Sequence, residues 1–328
     1  RMMAAERANL RDALEWAFVS APELACDLCA SLWRFWDAWG ELREGIARLQ
    51  RALGLAPGAT PALVQAGIHE GLGWLTMRLL DRAGARVILE KSLAQYSAIP
   101  DPEGIGRATL RLAECVGLLG DAGQSQALAE RALAIFRAAG DAHNTSWALS
   151  ALATLAHRRG DFAASARLIE ESVREARRAG APRHFVWMQL MSADMAYNRR
   201  DAATLSKVLA EAGAAVRALD DVPGQIFSAC LASHLARLRG RLGDERRALL
   251  RALPRALAAD VYLLRVLFYL GLNALEAGRS DAGIRVIAAV EARFGAMIQR
   301  MDPLDRARLD ELRARARERL GESMIAGL

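Results

Sequence analysis

The chain has 328 residues, of which 53% are hydrophobic and 25% are charged. This composition excludes a disordered protein and allows a large buried core. The formal net charge is +6, yet between residues 302 and 322 six arginines are matched by six acidic residues. Release of counterions from nucleic acid needs unneutralised basic clusters. We therefore expect a solvated surface of mixed charge and no direct nucleic-acid binding by this fragment.

The N-terminal residues enter a helical pattern at once, and residues 1–25 are predicted to form an opening helix. The segment Arg1–Glu6 lacks the charged and then apolar design of a signal peptide. No uninterrupted apolar run approaches the ~18 residues that a membrane span requires. We expect a cytoplasmic fragment of a longer protein, with no contact to a membrane.

Four cysteines are scattered along the chain, and Cys26 and Cys29 form a Cys-x-x-Cys pair. Such a pair could be half of a zinc or redox site, but no second pair follows at the spacing of a zinc finger. The surrounding segment is a continuous apolar helix pattern. We therefore predict reduced cysteines that pack in the core, and no bound metal.

Helix-ending residues recur with a period of forty. Gly40, Gly120, Gly160 and Gly240 lie on multiples of forty, and Leu80-Asp81 and Arg200-Asp201 fall at the same phase. A second series of Gly, Asp and Pro residues lies halfway between them. Two helices fit into each period, so residues 26–298 are predicted to form a solenoid of about seven helix-turn-helix units.

Small residues keep the same register, and antiparallel helices approach closely only where side chains are short. In the first helix of each unit the small residues are Gly73, Ala113, Ala153, Ala193, Ser233 and Gly271. In the second helix they are Ala52, Ser92, Ala132, Ser172, Ala212 and Ala252. Because each unit alone leaves one face unburied, the units must stack. We predict an all-α fold, a right-handed α-solenoid.

The last segment, residues 299–328, is predicted to be a C-terminal capping helix. Asp302 is placed as its N-cap and Pro303 in its first turn, and Gly321 is placed at its end. Its largely polar faces suit the exposed end of a stack of repeats.

Three features resemble the tetratricopeptide repeat. They are the Leu-Gly/Ala pair in the first helix, the Gly-Asp turn, and the small residue followed by Leu in the second helix. The similarity is clearest in ALSALATLAHRRGDFAASARLIEESV, from Ala148 to Val173. The period of forty is longer than the thirty-four residues of that family, so longer helices are expected.

Three further segments resemble the C-terminal sensor region of large bacterial signal-transduction ATPases. They are ERANLRDALEWA (Glu6–Ala17), FWDAWGELREGIARLQRAL (Phe35–Leu53) and RERLGES (Arg317–Ser323). These ATPases include transcriptional activators of the LuxR, maltose-activator and antibiotic-regulator types. The resemblance implies an upstream nucleotide-binding switch module, often preceded by a DNA-binding effector, with repeats that receive an inducer or partner.

Chemistry-bearing motifs are lacking in the sequence itself. It has no Gly-x-x-x-x-Gly-Lys-Ser/Thr phosphate loop, so neither ATP nor another cofactor is expected to bind this fragment. His69-Glu70 is not followed by the second histidine of a helical zinc site. The five histidines are dispersed, and no catalytic triad is suggested. We expect a protein that is not an enzyme.

The first helices of such a solenoid line its concave face. In units two to six, the residues of these helices that point toward the concave face form the predicted groove, which would bind a protein partner or a small-molecule inducer. These residues are Trp74, Met77, Arg78, Glu114, Trp147, Thr154, His157, Arg158, Trp187, Asp194, Tyr197, Asn198, His234 and Arg237. Aromatic and arginine side chains supply rigid contact area and charge-assisted hydrogen bonds. Alternatively, the aromatic residues pack in the core, and Trp147 and Trp187 contact the preceding repeat. The polar residues Arg158, Asp194, Asn198 and Arg237 have no evident packing reason to lie there.

Two further functions share this fold. An independent scaffold that docks peptides needs no attached ATPase, and an arginine-rich solenoid could bind nucleic acid along its length. The sensor domain is the interpretation that the resemblance of the three end segments favours.

Overall fold

The computed structural model describes residues 6–55, 60–219, 221–259, 262–298 and 303–320. Within these ranges every regular element is an α-helix, and there are sixteen. The helices are α1 (Arg7–Ser20), α2 (Pro22–Trp39), α3 (Leu42–Leu53), α4 (Ala62–Arg78), α5 (Arg82–Ala98), α6 (Pro102–Leu119), α7 (Ala122–Ala139), α8 (Ala142–Arg158), α9 (Phe162–Arg178), α10 (Pro182–Asn198), α11 (Ala202–Ala218), α12 (Val222–Leu238), α13 (Leu242–Ala259), α14 (Leu263–Glu276), α15 (Ser280–Ile298) and α16 (Pro303–Leu320).

Seven helix pairs, from α2/α3 to α14/α15, stand between α1 and α16. One residue in each intervening turn has a left-handed backbone, with φ between 57° and 106°; these residues are Gly40, Leu80, Gly120, Gly160, Arg200, Gly240 and Gly278. A residue in this conformation ends a helix, and glycine adopts it without a steric penalty. The predicted all-α repeat fold and its seven turns are confirmed.

Aspartates begin many of the helices. In six of them an Asp carboxylate accepts a hydrogen bond from the backbone N–H three residues later; the six are Asp81, Asp121, Asp141, Asp161, Asp201 and Asp221. Each bond satisfies one of the N–H groups that a helix start leaves unpaired, and such a cap contributes about 1 kcal/mol. The caps therefore place each helix start directly after a turn.

The predicted small residues lie where helices touch. Ala153 and Ser172 are fully buried, and the Ser172 hydroxyl donates to the Ser146 carbonyl oxygen at 2.8 Å. A Cβ added to Gly73 would lie 2.7 Å from Leu89, and one added to Gly271 would lie 2.7 Å from Ile287. Larger side chains at these positions would push the paired helices apart.

The chain divides into two compact units, Arg1–Met188 (unit 1) and Gln189–Leu328 (unit 2), with the boundary inside α10. In unit 1 the apolar core between α6, α7 and α8 includes Leu110, Phe136 and Leu149. In unit 2 the core includes Leu272, Ile287 and, from α16, Leu309 and Leu312.

The ends of the chain differ in detail from the predicted boundaries. The opening helix α1 ends at Ser20, and α2 begins at Pro22, before the predicted boundary at residue 25. Helix α16 occupies the predicted place of the closing helix. Residues 1–5, the predicted cap Asp302 and the predicted end Gly321 lie outside the described residues.

The cysteine pair is part of the core. Cys26 and Cys29 are buried thiols, and their Sγ atoms lie 3.6 Å from the Ala52 carbonyl oxygen and 3.7 Å from that of Arg48. Burial raises the pKa of Cys29 to about 12, so this thiol stays protonated and unreactive at neutral pH.

The described residues were also searched for membrane spans and metal sites. None of the described helices combines the length and the apolarity needed to cross a membrane. In the same part of the chain, no three His, Cys, Asp or Glu side chains come together in a way that could hold a metal ion.

Candidate ligand-binding site

The first-helix face of unit 1 is the surface formed by α2, α4, α6, α8 and residues 182–188 of α10. Nine residues predicted for the groove lie on these helices. Met77 is 5% exposed and packs in the core against Leu89 and Leu112. The other eight keep partial or full exposure; they are Trp74, Arg78, Glu114, Trp147, Thr154, His157, Arg158 and Trp187.

Three of these residues, at the C-terminal end of α8, bond within the fold. The Thr154 hydroxyl donates to the Ser150 carbonyl oxygen of its own helix at 2.9 Å. The His157 ring lies 5.1 Å from the Phe162 ring, and Arg158 donates to the Gly117 carbonyl oxygen at 3.0 Å. These contacts tie α8 to its neighbours and leave the Arg158 side chain at the surface.

A buried carboxylate organises one end of the face. Glu70 of α4 is 1% exposed. Its Oε2 accepts from Arg107 Nε at 3.2 Å and from the Tyr96 hydroxyl at 3.0 Å. Arg34 Nη2 lies 3.7 Å from Glu70 Oε1. A buried charge needs such partners to offset its lost hydration, and here one carboxylate serves two guanidinium groups.

Arg111 of α6 lies at the centre of the face between two indole rings. Its Cζ is 4.0 Å from the Trp74 ring centroid and 5.8 Å from that of Trp147. Its Nη1 donates to Glu114 Oε2 at 3.1 Å. Cation–π contact and the ion pair hold the guanidinium in one orientation. Glu114 is also desolvated, which raises the pKa of its carboxyl group.

Two histidines extend the face toward α10. The rings of His143 and His184 lie 4.2 Å apart, and the His184 ring is 4.7 Å from the Trp147 ring. His184 is 4% exposed, and neither of its ring nitrogens has a hydrogen-bond partner among the described residues. Burial first, then His143 and Arg111, lower the pKa of His184 to about 3. The ring is therefore neutral at physiological pH.

Arg34, Arg107 and Arg111 influence one another electrostatically. Burial lowers the pKa of Arg34, Glu70 opposes this shift, and the nearby Arg111 and Arg107 add to it. Burial also lowers the pKa of His143; the nearby Asp141 raises it, and Arg111 and Arg34 lower it. Arg111 therefore lies among both cations and anions, because Arg34 and Arg107 pair with Glu70 and Arg111 pairs with Glu114.

In unit 2 the predicted groove residues meet a different environment. The Tyr197 hydroxyl donates to Asp305 Oδ1 of α16 at 3.0 Å and accepts from Arg237 Nη1 at 2.7 Å. Arg237 also pairs with Asp305 at 3.1 Å and with Glu245 at 2.5 Å. The Tyr269 hydroxyl donates to Asp305 Oδ2 at 2.7 Å. We call these five residues the Asp305 network.

The structure corrects the expectation that Arg237 has no packing role. Its side chain is 9% exposed, and it joins α12, α13 and α16. His234 is fully buried, stacked at 4.0 Å on Tyr197 and in edge contact at 4.5 Å with Tyr269. These residues form the interior beneath α16 and do not present an open wall.

The remaining predicted residues of unit 2 are half-buried. Asp194 accepts from Arg265 Nη2 at 2.7 Å, and Asn198 lies at the C-terminal end of α10. Arg265 also stacks 4.9 Å from the Phe227 ring. The Asp194 carboxylate is therefore occupied by a cation of the chain itself.

Comparison with known proteins supports the repeat assignment. Residues 105–177 match the tetratricopeptide repeat family. Together with the seven helix pairs, this match decides the fold. The protein has an all-α fold of helix pairs similar to tetratricopeptide repeats. No curated protein sequence matches the chain.

Several solved structures share this tetratricopeptide-type architecture. A Rap protein complexed with competence and sporulation factor has a TM-score of 0.58 and 11% identity, covering 90% of this chain and 99% of that one. Aspartyl phosphate phosphatase F from Bacillus subtilis has a TM-score of 0.56 and 9% identity, covering 92% and 94%.

A signal transduction ATPase with numerous domains and a tetratricopeptide repeat sensor, from Pyrococcus horikoshii, has a TM-score of 0.51 and 12% identity. The match covers 99% of this chain and 47% of that protein, so this chain spans about half of its length. Identities this low show a common fold alone.

The sequence reasoning missed the residues that organise the face of unit 1. Arg111 occupies the repeat phase of Gly71 and Ala151, so a large charged residue among small ones was an available signal. Arg34 belongs to the first helix pair, which the predicted groove omitted. His143 and His184 are near the starts of first helices, and their ring contact depends on the packing of α8 against α10.

Proposed function

We propose that this chain is a non-catalytic sensor domain of a multidomain bacterial transcriptional regulator, in which it binds a small-molecule inducer or a protein partner. Binding takes place on the first-helix face of unit 1. The observation that carries the proposal is the cluster of Arg111, Trp74, Trp147 and His184, whose side chains are held in place by the fold. Several of their polar atoms lack partners among the described residues.

Oriented aromatic and arginine groups are the usual anchors of a recognition surface. Ordering such groups is normally part of what binding costs. Here the Arg111 guanidinium is already fixed by the Trp74 ring and by Glu114. Binding of a ligand would therefore cost little conformational entropy at this side chain.

The sensor role is supported by the relation to the Pyrococcus horikoshii protein, of which this chain spans about half. In our proposal an upstream nucleotide-binding module is the second partner, because this chain has no phosphate loop of its own. The ligand would act by binding one state of that switch more tightly than the other. The end segments that resemble LuxR- and maltose-activator-type regulators support this arrangement.

Binding without catalysis also fits the chemistry of the face. Acid–base catalysis on a nucleophile needs a base within hydrogen-bond reach of it. Both ring nitrogens of His184 are without such a neighbour among the described residues. Arg111 and Trp74 are donors that orient a ligand, and neither is a nucleophile.

An independent scaffold that binds a peptide is the second candidate. The observation in its favour is the match over 99% of a Rap protein that was solved with competence and sporulation factor. A scaffold of this kind would share the fold and would need no ATPase in the same chain.

The natural reading frame distinguishes the two candidates. The sensor proposal expects a phosphate-binding loop encoded upstream, in the same polypeptide. It also expects a ligand bound to this face to change the ATP affinity of that full polypeptide, and Arg111→Met to abolish this change. A reading frame without the loop, or an ATP affinity that bound ligand leaves unchanged, would contradict the sensor role and favour the scaffold.

A further inference from the structure

Four buried nitrogen atoms on the first-helix face of unit 1 have no hydrogen-bond partner among the described residues. They are Trp74 Nε1, Arg111 Nε and the two ring nitrogens of His184. An unpaired buried polar group is destabilising, so native proteins leave few of them. Trp74 and Arg111 donate only, and a neutral histidine ring donates through one nitrogen. Three donors of this group therefore lack an acceptor among the described residues.

The carboxylates of the face do not accept from these atoms. Glu70 Oε2 accepts from Arg107 and the Tyr96 hydroxyl. Glu70 Oε1 lies 3.7 Å from Arg34 Nη2 and has no hydrogen bond among the described residues. Glu114 accepts from Arg111 Nη1, and the Nε of that guanidinium has no partner among the described residues. Arginine binds carboxylate and phosphate through paired N–H groups, and part of this capacity in Arg111 is unused.

The face is also accessible from solvent. The Arg34 side chain is 53% exposed, and His143 is exposed beside the buried His184. Arg111 and His184 both lie against the Trp147 ring, and Arg111 also contacts the Trp74 ring. Arg111 and Arg34 also lower the pKa of His143, which the nearby Asp141 raises. Unpaired donors therefore lie next to the two indole rings.

We propose that this part of the face is an oxyanion site, in which Arg111 and Arg34 bind the carboxylate or phosphate of an organic ligand and Trp74 and Trp147 contact its apolar body. This inference rests on the proposed function and names the chemical class of its ligand. The anion would accept from Arg111 Nε and from a ring nitrogen of His184. The flat indole rings favour an aromatic or otherwise planar body next to the charge.

The test uses three small probes that share one ring: benzoate, phenyl phosphate and neutral benzamide. Binding is measured by tryptophan fluorescence and calorimetry on the full chain. We expect benzoate or phenyl phosphate to bind at least tenfold more tightly than benzamide, with an affinity that falls as salt is added. The ratio of the affinities for benzoate and phenyl phosphate shows whether the site prefers a carboxylate or a phosphate.

Variants locate the binding. Arg34→Ala removes an exposed cation and should lower the affinity for the preferred anion about tenfold, equivalent to ~1.4 kcal/mol. Arg111→Met should lower it further. Arg178→Ala is the matched control, because Arg178 is a similarly exposed arginine of unit 1 on the second helix α9, and it should leave binding unchanged. Arg34→Ala keeps the test valid if Arg111→Met fails to fold.

The outcomes separate this inference from the function on which it rests. If benzamide binds as tightly as the anions, the oxyanion site is wrong while a ligand-binding face remains. If neither anion binds, or if Arg34→Ala binds the anion as well as the natural chain, the inference is overturned. The sensor role itself stands or falls on the ATP response of the full polypeptide.

Discussion

The same phases of the repeat are used differently in the two units. In unit 1, Trp74 and Glu114 remain partly exposed and surround Arg111. In unit 2, His234 occupies the phase of Trp74 but is fully buried, and Tyr197 and Arg237 are bonded to Asp305 of α16. The repeat supplies equivalent positions, and a helix distant in sequence decides whether they stay at the surface or become interior.

The difference has an energetic consequence. A desolvated ion pair contributes little net stability when complete, because its attraction offsets a large loss of hydration. Removing one partner is costly, since the other charge stays buried. The Asp305 network should therefore be sensitive to single substitutions, whereas an exposed cation of the unit 1 face, such as Arg34, should tolerate substitution with little loss of stability.

The largest expected effect is in unit 2. Asp305→Ala leaves Arg237 without one of its buried carboxylates, and two tyrosine hydroxyls lose their acceptor. We expect a loss of about 3–5 kcal/mol in unfolding free energy, measured by urea denaturation. Asp281→Ala is the control, because its pair with Arg285 is exposed. Equal effects of the two substitutions would show that the network does not hold α16.

Overpacking should affect both units alike, because close helix contact is a property of the repeat. Ala153→Leu in unit 1 and Ala212→Leu in unit 2 each insert a larger side chain at a fully buried site. We expect each to cost about 1–3 kcal/mol. Ala163→Leu, at an exposed position of α9, should change the urea midpoint little. A strong effect in only one unit would contradict the shared register.

Acid should destabilise the chain through its buried histidines. His184 has a pKa of about 3 in the fold, lowered by burial, while an unfolded histidine has a pKa of ~6.5. Between these values the unfolded state binds more protons, so stability falls as pH decreases. From pH 7 to pH 5 the His184 contribution is about 2 kcal/mol.

Replacing His184 by Phe keeps an aromatic ring and removes this proton linkage. Urea denaturation at the two pH values should show a smaller acid-induced loss for the variant. In unit 2, burial lowers the pKa of His234 in the same direction, so His234→Phe should act likewise. An unchanged dependence on pH in both variants would show that the pKa values of these histidines are not lowered in the fold.

The smallest expected effects are in the turns. Gly160 in unit 1 and Arg200 in unit 2 both have a left-handed backbone, with φ of 81° and 57°. Gly160→Ala should cost about 1–2 kcal/mol because Cβ crowds the backbone there. Arg200→Gly should stabilise by less than about 1 kcal/mol, since relief of strain is offset by a more flexible unfolded chain. Melting temperatures of both variants measure this contrast, and a loss of stability in Arg200→Gly would contradict it.

Much of the solenoid could be predicted because its causes are local. Gly160 ends a helix by its own backbone preference, and Asp161 begins the next by capping it. Small residues such as Ala153 and Ser172 mark the contacts between paired helices, and they recur at a fixed period. Each of these signals depends on neighbours within about one repeat.

The candidate site was predictable only in part. Trp74 and Trp147 follow from the phase of the first helices, and the structure places both beside Arg111. Arg111, which contacts both rings, was missed because the equivalent positions in the neighbouring repeats are the small residues Gly71 and Ala151. Met77 shares a phase with groove residues, yet its apolar side chain turns into the core.

The sequence by itself determined the helices, their turns and the register of their contacts, since these depend on backbone preference and on side-chain size at short separation. Only the tertiary structure decided that Arg237 and Tyr197 are interior residues. Their partner, Asp305, is separated from Tyr197 by 108 residues, and no periodic pattern specifies that contact. The buried Asp305 carboxylate of α16 contacts Tyr197, Arg237 and Tyr269 from three other helices. These contacts hold Tyr197 and Arg237, which were predicted to bind a ligand, in the interior.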